Sequence, residues 1–302
     1  MGVFMSEIKT SFLKNGEREY KYLSLGNGKK LIFFFHGFPD DAGSMKELME
    51  IFSKKDFTCI APFMRGYSPG SSVPFSTTVS IAELAGDLKF IVESLKSRYN
   101  PEATVVLGHD WGAIASYAFA NLSPGTIDTL VSLSVPPIPT YLKNLFVYPS
   151  QIVRSWYVLF FQIRAGIPEA ALLKNDLLRR LWEDWSPGWK IPEERFREVF
   201  ENLKVHENLI TALGYYRGLL TPGNLALWNS SRELVFHKIS VPTLVLAGEK
   251  DECISTSVYK GLESEFYSRV SFQVIGKAGY FLHLEAPELV AKEIFRFIKL
   301  EN

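Results

Sequence analysis

Apolar and polar positions alternate in two distinct rhythms along the chain. Ile8 to Leu13 and Glu19 to Leu25 are short strand-like runs separated by Asn15-Gly16, a pairing that predicts an antiparallel hairpin. From Lys30 the pattern changes. Lys30–Phe35 is a continuous apolar run, as in a strand buried on both faces. Ser44 to Ser53 has helical spacing, Phe57 to Phe63 is a strand, and Ile81 to Leu95 is an amphipathic helix. Ala103 to Leu107, Ala113 to Leu122 and Ile127 to Val135 read as strand, helix and strand. Such alternation implies crossover connections and a mostly parallel sheet.

The rhythm stops at Pro136. Up to Glu233 the chain is helical and rich in Trp, Tyr and Phe, with breaks at Ser186-Pro187-Gly188 and Thr221-Pro222-Gly223. Strands resume at Pro242 to Ala247 and Val270 to Ile275, and an amphipathic helix from Pro287 to Leu300 closes the chain. The pattern predicts an α/β core formed by residues 1–135 and 236–302, with a helical insertion over 136–235. Ligands of such sheets bind at the carboxyl ends of the strands, so an insertion over that edge is expected to act as a lid.

Composition adds little to this picture. With 302 residues, 47% of them apolar, the chain can bury a large core. The 33 basic and 33 acidic residues cancel, which speaks against nucleic acid or a membrane as a partner. Cys59 and Cys253 lie in or just after apolar strand runs, so a disulfide framework is not expected and a reducing cytoplasm suits the chain. Met1 to Thr10 lacks the features of a signal peptide, and apolar runs such as Leu31 to Phe35 are too short to span a bilayer.

The strongest chemical signal is Gly108-His109-Asp110-Trp111-Gly112, placed between a strand and a helix. Small residues two positions either side of a central nucleophile permit a tight, strained turn. Here the central residue is an aspartate, already ionised at neutral pH, which attacks without a base. The simpler reading of Asp110 is a helix N-cap. The order strand, glycine, aspartate, glycine, helix favours the nucleophile.

Together with His36-Gly37-Phe38-Pro39 and Arg65-Gly66-Tyr67-Ser68-Pro69-Gly70, this motif resembles the epoxide hydrolase branch of the α/β-hydrolase superfamily. The resemblance covers nearly the whole chain. It implies an α/β-hydrolase fold: a mostly parallel eight-stranded sheet, helices on both faces and an inserted helical cap. It implies an oxyanion hole from the amides of Phe38 and Trp111, a cis bond before Pro39, and ring-opening donors at Tyr157 and Tyr216, with Tyr215 as the alternative to the latter. A phenol stays protonated at pH 7 and can donate to the opening ring. The simpler reading of these tyrosines is an aromatic core layer. The triad acid is expected at Asp251, or else Glu249. His36 and His109 read as structural residues of their loops, and His36, Pro39, Trp156 and Phe281 are the candidate substrate-binding residues. No metal or cofactor is implied. The expected substrates are water and a small lipophilic or aryl epoxide.

One position departs from the family. Its base is a histidine in Gly-His-Phe after the last strand, but here the stretch is Gly279-Tyr280-Phe281-Leu282-His283. The five histidines are His36, His109, His206, His237 and His283, and none falls on the expected site. Tyrosine has a reference pKa of about 10 and is a poor base. Slow hydrolysis of an Asp110 ester follows. Three readings stand side by side: Tyr280 replaces the base in an otherwise ordinary epoxide hydrolase that stalls after alkylation, the chain is a natural variant of weak or altered activity, or His283 takes over as base. Among other functions, a haloalkane dehalogenase shares the nucleophile but typically has Asn where this chain has Phe38, and a haloacetate dehalogenase has Arg at the place of Trp111. A serine esterase is excluded at the elbow. A ligand-binding homologue without turnover also fits Tyr280.

Overall fold

A computed structural model of the chain describes residues 7–68, 76–219 and 225–299. Pro69, Gly70, the Thr221-Pro222-Gly223 break and Leu300 lie outside the described residues. Eight strands form one sheet: β1 (Lys9–Asn15), β2 (Arg18–Leu25), β3 (Lys30–Phe35), β4 (Phe57–Pro62), β5 (Ala103–His109), β6 (Thr129–Leu133), β7 (Thr243–Gly248) and β8 (Val270–Ile275). Their spatial order is β1-β2-β4-β3-β5-β6-β7-β8. β1 and β2 form the antiparallel hairpin and β2 joins β4 antiparallel, while every later pairing is parallel. The strands β3 to β7 are buried along almost their whole length, which explains their unbroken apolar sequences.

Between the strands run α1 (Lys46–Ser53), α2 (Ile81–Tyr99) and α3 (Trp111–Leu122). A short 3₁₀ turn, Ala42–Met45, precedes α1, with Asp41 capping it through the Gly43 amide. α2 begins with a reciprocal capping box between Ser80 and Glu83. After β6 come α4 (Ile138–Val147), α5 (Ser150–Arg154), α6 (Trp156–Phe160), α7 (Ile167–Lys174), α8 (Leu177–Trp185), α9 (Glu193–Leu203), α10 (His206–Leu219) and α11 (Leu225–Phe236). The expected helical insertion is thus a set of mostly short helices. α12 (Leu282–Glu285) and α13 (Pro287–Lys299) follow β8. No helix among the described residues is long and apolar enough to cross a membrane.

A buried ion pair locks three segments around this sheet. Asp87 of α2 accepts two bonds of 2.7 Å from the Arg65 guanidinium, and a third, of 2.5 Å, from the Tyr20 hydroxyl of β2. The Arg65 carbonyl in turn accepts the Tyr215 hydroxyl of α10. The Arg65-Gly66-Tyr67 stretch is therefore a structural joint between core and insertion.

Candidate active site

Asp110 sits between β5 and α3 with φ at 52° and ψ at −121°, a strained conformation for a residue with a side chain. Its flanking glycines are required by space. A Cβ on Gly108 would come 2.3 Å from the Gly112 carbonyl oxygen, and one on Gly112 would come 2.1 Å from that of Phe35. Asp110 occupies the N-cap position of α3, yet its side chain makes no capping bond. The carboxylate points across to the loop after β3.

There the Phe38 amide donates to Asp110 Oδ1 at 2.6 Å. The Trp111 amide also stabilises the carboxylate. The two amides expected to form an oxyanion hole therefore both meet the Asp110 carboxylate. Phe38 precedes Pro39 through a cis peptide bond, as the family pattern implies. Tyr280, after β8, donates its hydroxyl to the other oxygen, Oδ2, at 2.5 Å. Burial pushes the Asp110 carboxyl up to about 6, against the opposing pull of the Tyr280, Phe38 and Trp111 hydrogen bonds. Burial, and then the charge of Asp110, push the Tyr280 phenol well above its ordinary value. Tyr280 is therefore a hydrogen-bond donor to the Asp110 carboxylate.

Asp251 follows β7 and is buried, whereas Glu249 is exposed and accepts the Lys277 amide. Asp251 Oδ1 accepts the amides of Cys253 and Ile254, at 2.9 and 2.7 Å. Its Oδ2 is buried and makes no hydrogen bond among the described residues. Burial raises its carboxyl well above the usual range. One oxygen of Asp251 is thus oriented by two amides while the other is left without a partner among the described residues.

Tyr157 and Tyr216 come from α6 and α10, their ring centroids 5.9 Å apart. Tyr216 stands edge-on to Trp111 at 5.1 Å and to Phe38 at 5.5 Å. Its buried hydroxyl has no well-formed hydrogen bond. The neighbouring Tyr215 spends its hydroxyl on the Arg65 carbonyl, so of the two candidates Tyr216 has the free donor. The Tyr157 hydroxyl lies 3.3 Å from Cys253 Sγ. Burial raises both phenols well above their ordinary value, and the charge of Asp110 acts on both.

Several candidates stand elsewhere than expected. Trp156 is 44% exposed and packs at a tilt against Phe160. It adjoins Tyr157 on a helix, where neighbours point about 100° apart, so an inward Tyr157 sends Trp156 outward. His36 does not offer a polar atom to a substrate: its ring joins the Gly37 carbonyl and the Met64 amide, and it supports the loop. The Pro39 carbonyl is taken by the Trp182 indole N–H at 2.9 Å. Phe281 is buried against Trp182 and Trp189. His283 is engaged away from the Asp110 carboxylate. Its Nε2 pairs with Asp40 Oδ2 at 2.8 Å, and its ring lies 4.4 Å from that of His109. His109 itself faces the Tyr280 carbonyl at 3.1 Å.

Asp40, His109 and His283 are the group with metal-ligand chemistry among the described residues, their ligand atoms within 4.8 Å of one another. Burial opposes ionisation of Asp40, but hydrogen bonding and charge from His283, with help from Arg195 and Ser44, hold its carboxyl down at about 2. The aspartate adjoins the His36-Gly37-Phe38-Pro39 motif, a position that sequence reasoning passed over. It also passed over Ser186 and Cys253. The Ser186 hydroxyl accepts the Tyr280 amide at 2.9 Å and donates to Glu285 at 2.6 Å, bonds between residues about a hundred positions apart.

Comparison with known proteins agrees with this geometry. Epoxide hydrolase 4 of Homo sapiens is 25% identical over 293 residues, covering 96% of this chain and 78% of that protein. Epoxide hydrolase 1 of Caenorhabditis elegans is 24% identical over 296 residues, covering 95% and 69%. The crystal structure of epoxide hydrolase A from Mycobacterium thermoresistibile superposes with a TM-score of 0.77 at 21% identity, covering 97% of this chain and 98% of that one. The alpha/beta hydrolase fold family matches residues 30–287. With its elbow, its amide pair and its sheet order, the chain belongs to the α/β hydrolase fold family.

Proposed function

We propose that the chain is an epoxide-directed hydrolase that forms an ester on Asp110 and releases it slowly. The insertion 136–235 is its cap. The observation that carries this reading is the division of labour at one carboxylate: a backbone amide on Oδ1, a phenol on Oδ2. Oδ1 is placed to become the oxyanion during ester hydrolysis, where two N–H donors stabilise the negative charge. Oδ2 is the attacking atom. It bonds to an epoxide carbon, the carbon–oxygen bond of the ring breaks, and the leaving oxygen takes a proton from Tyr157 or Tyr216. Solvent then reprotonates that phenol.

Hydrolysis is the weak step. Water attacking the ester must lose a proton, and Tyr280 cannot accept one. General-base help is typically worth about 10²- to 10⁴-fold in rate. Two relatives that align over nearly the whole chain are named epoxide hydrolases, which supports the substrate class. The free hydroxyl of Tyr216 supports the ring-opening role.

Intact-protein mass spectrometry after incubation with styrene oxide tests this reading. A single adduct is expected, located on Asp110 and absent from Asp110→Asn. Rapid diol formation without an adduct would overturn the slow release. Neither adduct nor diol would make the chain a ligand-binding homologue.

A further inference from the structure

The helical insertion has an unusual outer face. Nine of the seventeen large exposed apolar side chains among the described residues fall between residues 142 and 167. Elsewhere they occur singly along the chain, which is ordinary for a water-soluble surface. Phe146 is 86% exposed, Val153 72% and Leu159 64%, and Val147, Ile152 and Trp156 accompany them. α4 is tied to the α5–α6 junction by the bond between the Tyr141 hydroxyl and Ser155 Oγ, at 2.6 Å. The apolar side chains thus come from connected helices.

The charges in this segment have one sign. From Thr129 to Pro168 there is no Asp or Glu, while Lys143, Arg154 and Arg164 are basic. Lys143 and Arg164 are exposed. Arg154 is paired with Glu252 at 2.7 Å and also donates to the Asp251 carbonyl.

We propose that this face docks peripherally on an anionic lipid surface, with Phe146, Val153, Trp156 and Leu159 entering the headgroup boundary and Lys143 and Arg164 meeting lipid phosphates or carboxylates. Apolar insertion combined with basic attraction is the chemistry of interfacial binding, and an interfacial tryptophan suits that depth. A second copy of the chain fits less well. In a two-fold contact the same patch meets itself, bringing cations together with no acid in the segment to pair them. The expectation of no membrane partner rested on zero net charge. That total hides a local excess. α6 links the two roles, since Tyr157 faces the site while Trp156 and Leu159 face outward. A lipophilic substrate dissolved in a bilayer would then reach the site from the side that touches it. The docking itself needs no epoxide chemistry, so it stands or falls apart from the reaction at Asp110.

Co-sedimentation of the full chain with lipid vesicles tests this. Vesicles of phosphatidylcholine with about one-third phosphatidylserine should bind about twenty-five-fold more tightly than pure phosphatidylcholine, two exposed cations each giving about fivefold. Added salt should remove that difference. The variant Phe146→Ser/Val153→Ser/Leu159→Ser should lose at least tenfold in binding with unchanged Tm. Lys143→Glu/Arg164→Glu, which leaves the apolar side chains in place, should abolish the preference for anionic vesicles. Equal binding to both vesicles, or none, would overturn the proposal. So would a dimer in analytical ultracentrifugation that the serine variant dissolves.

Discussion

On the proposed function, position 280 decides how this site behaves. The Tyr280 phenol holds Asp110 Oδ2 at 2.5 Å, and Asp251 keeps a buried oxygen without a partner. A histidine at 280 would give that oxygen an N–H to accept and would present its other nitrogen to water. Tyr280→His is therefore expected to raise diol formation at least tenfold and to shorten the life of the Asp110 adduct, both measurable by product analysis and mass. No change in either would mean that another group limits turnover. The pH dependence also belongs to this scale. Alkylation needs ionised Asp110, so adduct formation by Tyr280-containing protein should rise through pH 6 and flatten above it. The linked effect on stability has the opposite sign. The unfolded carboxyl titrates near 4, so the folded chain holds an extra proton between about pH 4 and 6. Asp110 therefore favours the folded state below that window, and its contribution is lost as pH rises through it.

At the scale of elements, the elbow is the sharpest constraint. Gly112→Ala puts a methyl group 2.1 Å from the Phe35 carbonyl oxygen, so β3 and α3 must separate. A loss of about 1–3 kcal/mol in urea unfolding is expected, with slower alkylation as Asp110 shifts from the Phe38 amide. The central strands β3 to β7 are legible in the sequence because they are buried on both faces. Lys30–Phe35 and Val270–Ile275 have the bounds expected, and the other strands agree within a residue or two. The start of α3 was placed at Ala113, two residues late, because the positive φ of Asp110 leaves no mark in apolar periodicity. The insertion was legible as helical but not as eight separate helices, since pieces as short as Trp156–Phe160 span little more than one turn. Trp156 was misassigned for the same reason: an aromatic cluster does not say which of two neighbours faces inward.

On the scale of the whole molecule, distant residues are brought together at the carboxyl edge of the sheet. Phe38, Asp110, Asp251 and Tyr280 follow β3, β5, β7 and β8. Their order is also the order of the motifs at which the sequence places its candidate nucleophile, amide donor and acid. Ser186, Cys253 and Asp40 act through contacts across the fold and carry no local signal. The same holds for the joint at Asp87, where Arg65 and Tyr20 converge. Asp87→Ala would leave the buried Arg65 guanidinium with Glu83 alone, at 3.4 Å, so a loss of about 3 kcal/mol is expected in denaturant unfolding. A loss under about 1 kcal/mol would show that water relieves the arginine.

The hydroxyl of Ser186 deserves a mechanical reading. Ser186 ends α8, in the insertion, yet it grips the backbone of Tyr280. Trp182, one turn earlier, grips Pro39 in the loop that carries Phe38. The insertion is thus bolted to two partners of the Asp110 carboxylate. Any swing of α8 wide enough to admit a guest would tug residue 280 and the Phe38 loop with it. If the insertion opens as the proposed cap, unroofing the site and loosening the grip on Asp110 are one movement.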